Sequence, residues 1–276
     1  MVLVKNLIEL SRPWTWITII LLVSAVHIQA SDYSSSWYHL LISDMGIALI
    51  VFGGFAINDF FDRDIDRIVH PERLIPSSRL NEGTILWVST IAFVSGLVLL
   101  SLIGIASVTL GFIATVLLIF YPRIKNFNGF LGNIVFSLLP ALAVVYGFLI
   151  TKPVSLEPSF IFLVATVFFV ILSRELIKDI EDMDGEVKFR TTLPMVIGVR
   201  ATLKISSGLL ILGLMFILLF LRDKPSVLLF AIPVLVYGGF LVAKIATSSK
   251  DHATELIKML KIGFIFMVLL LFGTQR

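Results

Sequence analysis

Cysteine is absent from this chain of 276 residues, and charged residues are scarce. The lack of cysteine excludes disulfide bonds and thiolate metal sites. Asp, Glu, Lys and Arg make up 15% of the chain while 58% is hydrophobic, which excludes a soluble globular domain. Only four histidines occur, without the spacing of metal ligands, so no zinc site is expected. A formal net charge of +3 gives no sign of a nucleic-acid partner, and none is expected.

Long runs of apolar residues make up most of the sequence. About 20 residues are needed for a helix to cross the hydrocarbon core of a membrane. Nine runs meet this need, at 14–30, 42–61, 84–103, 105–121, 131–150, 158–177, 204–221, 225–243 and 257–273. We therefore expect an all-α membrane protein, a bundle of nine transmembrane helices forming one domain over residues 1–276. Residues 1–12 contain no small-residue cleavage site, so a removable signal peptide is not expected.

The positive charges are distributed asymmetrically in this topology. All Lys and Arg residues fall on one side except Lys152, Arg222, Lys224 and Arg276. The positive-inside rule predicts that the first side, which includes the N-terminus, faces the cytoplasm. The longest polar stretches, 62–83 and 174–203, follow the second and sixth spans on that side. We expect them to form a cytoplasmic cap over a site at membrane level.

Two acidic clusters with the same spacing lie beside these spans. Acids at 59, 62, 64 and 66 are matched by acids at 179, 182, 184 and 186. Carboxylates are costly next to lipid and usually functional there. On a helix, Asn58, Asp62 and Asp66 share one face, as do Asp179, Asp182 and Glu186, whereas Asp64 and Asp184 lie off these faces. Because Mg²⁺ prefers oxygen ligands, the two facing sets predict a site where Mg²⁺ holds a polyphosphate.

Basic residues on the same side are candidates for binding such a phosphate. They are Arg12, Arg63, Arg67, Arg73, Lys125, Arg174 and Lys178. Tyr121 and Asn133 flank the loop after the fourth span and are candidates for contact with the phosphates or an acceptor. Asn133 stands in an apolar helix, where an amide is unfavourable unless it has a partner or a function.

Several of these residues together resemble a known family. Ser11-Arg12-Pro13, the pattern Asn58-Asp59-x-x-Asp62-x-x-x-Asp66, Tyr121 with Lys125, Gly132-Asn133 and the second acidic cluster are similar to the UbiA-type intramembrane prenyltransferases. The resemblance implies nine helices, Mg²⁺ bound between the motifs, and transfer of a prenyl group from an allylic diphosphate to an acceptor. It implies metal ligation by Asn58, Asp62, Asp66, Asp179, Asp182 and Glu186, and phosphate contacts from Arg12, Lys125 and Lys178. Asp62, Asp66, Asp182 and Lys125 are then the catalytic candidates.

The acceptor is suggested by a closer resemblance within the family. Residues 174–182 and 192–194 are similar to the family's enzymes of archaeal ether-lipid synthesis, which add a second geranylgeranyl chain to a lipid hydroxyl. The implied acceptor is geranylgeranylglyceryl phosphate. The chain departs from the family pattern at Glu186, in place of Asp, and at Leu74 and Ser78, in place of Pro and Gly. An aromatic acceptor, such as a quinone precursor, is the alternative within the family, and a cation-coupled transporter is the alternative outside it.

Overall fold

The computed structural model describes residues 2–30, 37–150, 158–222 and 225–273, and the regular structure in these ranges is helical. The helices are α1 (Val2–Ser11), α2 (Pro13–Ala30), α3 (Trp37–Val69), α4 (Glu82–Ser101), α5 (Ile105–Phe127), α6 (Gly129–Leu149), α7 (Pro158–Glu186), α8 (Leu193–Ile197), α9 (Val199–Leu221), α10 (Pro225–Thr247) and α11 (Ala253–Gly273), with one 3₁₀ turn at Lys250–His252. The all-α prediction is confirmed for this part of the chain.

Each predicted apolar run lies in its own long helix. Within the described ranges, eight helices are long and apolar enough to cross a membrane. The run at 225–243 lies in α10, whose stretch Ala231–Thr247 is apolar but shorter than the other eight. The runs at 84–103 and 105–121 leave only Gly104 between them, and the structure has a tight turn there, because α4 ends at Ser101 and α5 begins at Ile105. Gly104 has a φ of 150°, a backbone conformation that residues other than glycine rarely adopt.

Three helices continue well beyond the apolar runs that predicted them. The third helix reaches Val69, α5 passes through Pro122 to Phe127, and α7 reaches Glu186. The prediction that residues 62–69 and 174–186 belong to polar loops was therefore wrong, as was the placement of Lys125 after its helix. The length of an apolar run is set by the thickness of the hydrocarbon core, whereas a helix can continue beyond it when polar residues on its surface form hydrogen bonds or ion pairs.

The polar N-terminal segment forms a helix that its composition did not predict. Its buried Leu10 packs with Leu74 and Ile75 of the loop at residues 70–81. The following residue, Arg12, separates α1 from α2 and has a φ of 47°, in the left-handed region. A residue before proline is disfavoured in the right-handed helical conformation, so Pro13 explains why the chain breaks here.

The long helices pack around one another and bring the two motifs to the same end. The third helix packs on α4 and α5, α7 packs on α6 and α9, and α11 closes the arrangement by packing on both α7 and α2. We call the end where α3 and α7 terminate the motif end. At Gly132 of α6, an added Cβ would lie 2.6 Å from Cβ of Lys125, so α5 and α6 approach there as only glycine permits.

Candidate active site

A polar cavity at the motif end is lined by one face of each acidic helix. Asn58, Asp62 and Asp66 of α3 line it together with Lys178, Asp182 and Glu186 of α7. Both sets have the spacing i, i+4, i+8, which places three side chains along one side of a helix. About 400 Å³ of space free of protein atoms lies between them. The remaining lining residues are Arg12, Ile65, His70, Arg73, Tyr121, Lys125 and Arg190.

A second pair of acids lies behind these faces. Asp59 accepts a 2.5 Å hydrogen bond from Nη2 of Arg12, and the same guanidinium stacks on the ring of Phe55. Asp179 accepts a 2.6 Å hydrogen bond from Nδ2 of Asn133 and has Nζ of Lys125 at 3.8 Å. Both carboxylates are buried and committed to protein partners. The structure therefore does not bring Asp179 into the cavity, where the sequence predicted a metal ligand.

Two arginines from the loops neutralise acids at the mouth of the cavity. Arg73 donates from Nη1 to both oxygens of Asp66, at 2.7 and 2.8 Å. Burial alone would lower the pKa of Arg73, but the charge of Asp66 and its hydrogen bonds raise that pKa above the ordinary value. Arg73 therefore stays charged across the accessible pH range.

Arg190 joins the two motifs. Its Nη2 donates a 2.5 Å hydrogen bond to Oε1 of Glu186, and its Nη1 lies 3.9 Å from Oδ1 of Asp62. Burial would lower the pKa of Arg190, but the two carboxylates raise it above the ordinary value. The guanidinium thus holds the last acid of α7 and the central acid of α3 around one positive charge.

The oxygen atoms left over fit a hard divalent cation. Oδ1 of Asp62 and Oε2 of Glu186 are buried without a hydrogen-bond donor. Buried polar atoms normally have partners, so each orphaned oxygen calls for an explanation. Asp182, between Lys178 and Glu186 on α7, forms no ion pair with any described residue. Although no three acid or histidine side chains of the described residues are already gathered to hold a metal, the chemistry of this donor set suits Mg²⁺.

Several predicted phosphate ligands lie elsewhere. Nε of Arg63 is 3.3 Å from Oε1 of Glu82, and Nη1 of Arg67 donates to Oδ1 of Asp64 at 2.7 Å, both on the outer side of α3. Arg174 forms an ion pair with Glu175. Arg63, Arg67, Arg174 and Asn133 are thus absent from the lining of this cavity, whereas Arg12, Tyr121, Lys125 and Lys178 are part of it.

The off-face acids of the motifs are exposed, as their helical positions suggested. Asp184 pairs with Nζ of Lys250 at 2.5 Å, while its side chain remains 79% exposed. Asp64 pairs with Arg67 at the surface of α3. These contacts keep Asp64 and Asp184 apart from the cavity, so they serve as same-chain comparisons for the acids that line it.

Comparison with known proteins identifies the family. The model of the UbiA prenyltransferase family matches residues 15–270. The chain belongs to the UbiA prenyltransferase family. It is 30% identical over 265 residues to digeranylgeranylglyceryl phosphate synthase of Methanosphaera stadtmanae, which covers 94% of each chain. The protein of the same name from Thermococcus kodakarensis is 30% identical over 264 residues, 92% of each chain.

Solved structures show that the fold is also shared with this family. A structure from work on digeranylgeranylglyceryl phosphate synthase in membranes matches with a TM-score of 0.79 at 24% identity, covering 100% of this chain and 99% of that one. A UbiA homolog from Archaeoglobus fulgidus, bound to DMAPP and Mg²⁺, matches with a TM-score of 0.73 at 15% identity, covering 97% and 99%. The chain is an integral, multi-pass membrane prenyltransferase, and the resemblance read from its motifs is confirmed.

Two features of this UbiA prenyltransferase site were missed from the sequence. Arg190 follows Glu186 by four residues, the spacing of a helical ion pair, and that signal was available. His70 lies in the cavity at the start of the first loop, and no local pattern marked it. Arg73 was among the candidate cations, but nothing in the sequence linked it to Asp66 in particular.

Proposed function

We propose that this enzyme transfers a geranylgeranyl group from geranylgeranyl diphosphate to the free hydroxyl of geranylgeranylglyceryl phosphate, in a reaction that requires Mg²⁺. The observation that carries the proposal is the cavity itself, where buried oxygens of Asp62 and Glu186 lack a hydrogen-bond donor. Asp182 and the amines of Lys125 and Lys178 line the same space. Carboxylate oxygens that can bind a metal ion, next to amines that can bind phosphate, match the chemistry of a diphosphate ester. The digeranylgeranylglyceryl phosphate synthases at 30% identity support the choice of acceptor.

Mg²⁺ would be held by Asn58, Asp62 and Asp66 of α3 and by Asp182 and Glu186 of α7. The Archaeoglobus fulgidus homologs bound to Mg²⁺ with DMAPP or GPP support this assignment through their common fold. When bound, the metal supplies positive charge that stabilises the departing diphosphate. On this proposal Asp179 positions Lys125 and does not bind the metal.

The residues of the chain perform the rest of the reaction. Lys125, Lys178 and Arg12 bind the diphosphate oxygens, and the negative charge that they face grows as the bond between carbon 1 of the prenyl chain and oxygen breaks. The bonding electrons leave with the diphosphate, and the acceptor oxygen forms the new bond to carbon 1 while its proton passes to the released diphosphate. Apolar side chains of the bundle exclude water, which would otherwise capture the allylic cation.

We further propose that the site opens on the cytoplasmic side of the membrane. We propose nine spans in a single domain over residues 1–276, with α1 and the loops at 70–81 and 187–198 forming the cap at the motif end. The Lys and Arg distribution supports this orientation. A transporter receives no support, because both acidic sets lie at one end and because α3 and α7 run unbroken through their motifs.

Product analysis with purified enzyme tests the function. In neutral-lipid nanodiscs with Mg²⁺ and geranylgeranyl diphosphate, we expect consumption of geranylgeranylglyceryl phosphate, measured by mass spectrometry, and stoichiometric release of diphosphate. Asp182→Ala should lose at least a hundredfold in kcat and keep its melting temperature, because Asp182 forms no hydrogen bond or ion pair with the residues that the structure describes. Asp184→Ala, the exposed acid two residues away, is the matched control and should stay active. Consumption of 4-hydroxybenzoate alone would overturn the choice of acceptor.

A further inference from the structure

A second group of cations lies beside the active site, and some of its hydrogen-bond donors have no acceptor among the described residues. Arg174 and Lys178 occupy the same face of α7, one turn apart. Lys261 of α11 is electrostatically coupled to Arg174 and Arg12, which repel it, and to Glu175 and Glu181, which attract it. Neither Lys178 nor Lys261 forms an ion pair with any residue that the structure describes.

The register of the two helices places Arg174 and Lys261 at the same depth. Oγ1 of Thr254, at the start of α11, donates a 2.6 Å hydrogen bond to Oε1 of Glu181 of α7. The helices run in opposite directions, and Arg174 and Lys261 are each seven residues further into the bundle from this contact. At the helical rise per residue, both lie about 10 Å below it.

Among the described residues, Glu175 is the one acid that forms an ion pair within this group. It is buried and pairs with Arg174, whose Nε is also buried but has no hydrogen-bond acceptor. Glu181 and Asp182 attract Lys261 and Lys178 from a distance but form no ion pair with them, so Lys261 and Nε of Arg174 are left without a bonded acceptor. Unpaired charges at such a depth are costly and rare unless they serve a ligand.

The position of these unpaired donors fits an anion that arrives from the bilayer. Lys261 is exposed at the surface of α11, where α11 packs on both α2 and α7, whereas Lys178 lines the active-site cavity. An anion between Arg174 and Lys261 would therefore lie one helical turn from the proposed diphosphate site and on its lipid side. In a glycerol phosphate lipid, the free hydroxyl is only a few bonds from the phosphate, so it would point toward the prenyl donor.

We propose that Arg174 and Lys261 bind the phosphomonoester of the lipid acceptor, separately from the cations that bind the donor diphosphate. This inference rests on the proposed function, because it assigns a recognition site to its acceptor. The two anions are kept apart by Lys178, which lies between them on α7. The phosphate on the acceptor thereby fixes which oxygen reaches carbon 1 of the donor.

The test compares two acceptors that differ only in the phosphate, geranylgeranylglyceryl phosphate and geranylgeranylglycerol. In neutral-lipid nanodiscs, Lys261→Gln should raise the KM for the phosphorylated acceptor about tenfold, the loss expected for one charge-assisted hydrogen bond. The kcat/KM for geranylgeranylglycerol and the KM for geranylgeranyl diphosphate should not change. Lys261→Arg should restore the KM, and Arg174→Lys, which keeps a charge beside Glu175, should raise it. Lys204→Gln, an exposed lysine of α9, is the control and should behave as wild type.

Other outcomes would overturn the inference. Equal losses with both acceptors would mean that Lys261 acts on the fold, and no loss with either would mean that it binds nothing. If the effect of Lys261→Gln appears only in anionic lipid, the site binds bulk headgroups. Inorganic phosphate should compete with the phosphorylated acceptor in wild type and more weakly in Lys261→Gln. A wild-type enzyme that ignores geranylgeranylglyceryl phosphate would instead contradict the proposed function itself.

Discussion

At the residue scale, the site depends on acids from the helices and counter-ions from the loops. Arg73 and Arg190 each occupy carboxylate oxygens that the proposed metal would need. Without a metal, these arginines offset the repulsion between acids that lie close together in a buried place. Removing one member of a buried ion pair typically costs about 3 to 5 kcal/mol, because the other charge is left uncompensated.

Arg190→Gln should therefore destabilise the metal-free protein by about 3 kcal/mol, and Mg²⁺ should restore much of that loss by taking the place of the guanidinium. The measurement is thermal unfolding in EDTA and in a Mg²⁺ titration, where the variant should show the larger Mg²⁺-induced rise in melting temperature. Lys188→Gln, an exposed substitution two residues away, is the control. An equal loss of stability with and without Mg²⁺ would show that Arg190 supports the loop and not the acids.

Residue spacing predicted the α3 half of the site better than the α7 half. Asn58, Asp62 and Asp66 all line the cavity, as their shared face required. On α7, Asp182 and Glu186 share a face with Asp179 on one edge and with Lys178 on the other edge. These two edge residues are only 100° apart around the helix, so spacing alone did not decide which of them faces the cavity. Which edge faces the cavity depends on how α5 and α6 rotate α7, since Asn133 and Lys125 hold Asp179. Those contacts join residues that are distant in the chain, so no pattern in the local sequence predicts them.

At the scale of single elements, α1 is the helix most dependent on a few contacts. Arg79 donates from both terminal nitrogens to the carboxylate of Glu9, at 2.7 Å each, while Nδ2 of Asn6 donates to the backbone oxygen of Arg79 at 3.2 Å. These bonds attach α1 to the loop that carries Arg73. The loop in turn delivers Arg73 to Asp66, so the docking of α1 supports one side of the site.

Acid should loosen α1 before it affects the bundle. The hydrogen bonds from Arg79 hold the pKa of Glu9 below its ordinary value. This contact is fully present above the ordinary glutamate pKa, and it is lost as the pH falls through the lowered pKa of the folded protein. The protection factors of the α1 amides, which correct for the slower intrinsic exchange in acid, should therefore fall a few-fold over that acidic range, while the spans keep their protection. Glu9→Gln should show the lower protection factors already at neutral pH, and unchanged protection in this variant would contradict the role of the pair.

Helix ends were less predictable than helix centres for a physical reason. Hydrophobicity located the long helices of the described part of the chain, because a helix in lipid must satisfy its backbone hydrogen bonds internally. It did not predict that α3 and α7 extend to Val69 and Glu186, since there the stabilising partners are distant cations. The helical form of α1 was missed for the same reason, as its apolar face is covered by the first loop.

At the scale of the whole molecule, charge and lipid thickness specify the arrangement more than any single contact does. In the proposed topology the basic residues gather at the motif end, where they would orient the chain and also supply the ligands of two proposed anions. The same charges would thus serve both topology and recognition, which is why the count of Lys and Arg on each side assigned both acidic clusters to one end of the bundle.

The absence of cysteine makes the proposed orientation directly testable. A single cysteine introduced at Glu72, exposed in the first loop, should react with a membrane-impermeant maleimide only when the cytoplasmic face is accessible. A cysteine at Leu102, in the turn between α4 and α5, should show the opposite pattern. Labelling of Glu72→Cys in intact cells would show that the first loop faces outward and would contradict the proposed orientation.

The backbone at Arg12 affects how the role of its side chain must be measured. This residue has a left-handed φ that only glycine adopts without strain, and its guanidinium holds Asp59. An alanine there keeps the strained backbone but takes the guanidinium from buried Asp59, so its effect on kcat and its effect on folding occur together. Arg12→Gly also removes the charge but relieves the strain, so the difference between the alanine and glycine variants isolates the conformational energy. Arg12→Lys keeps both strain and charge, so the difference between the alanine and lysine variants isolates the charge. An alanine scan alone would misread this position.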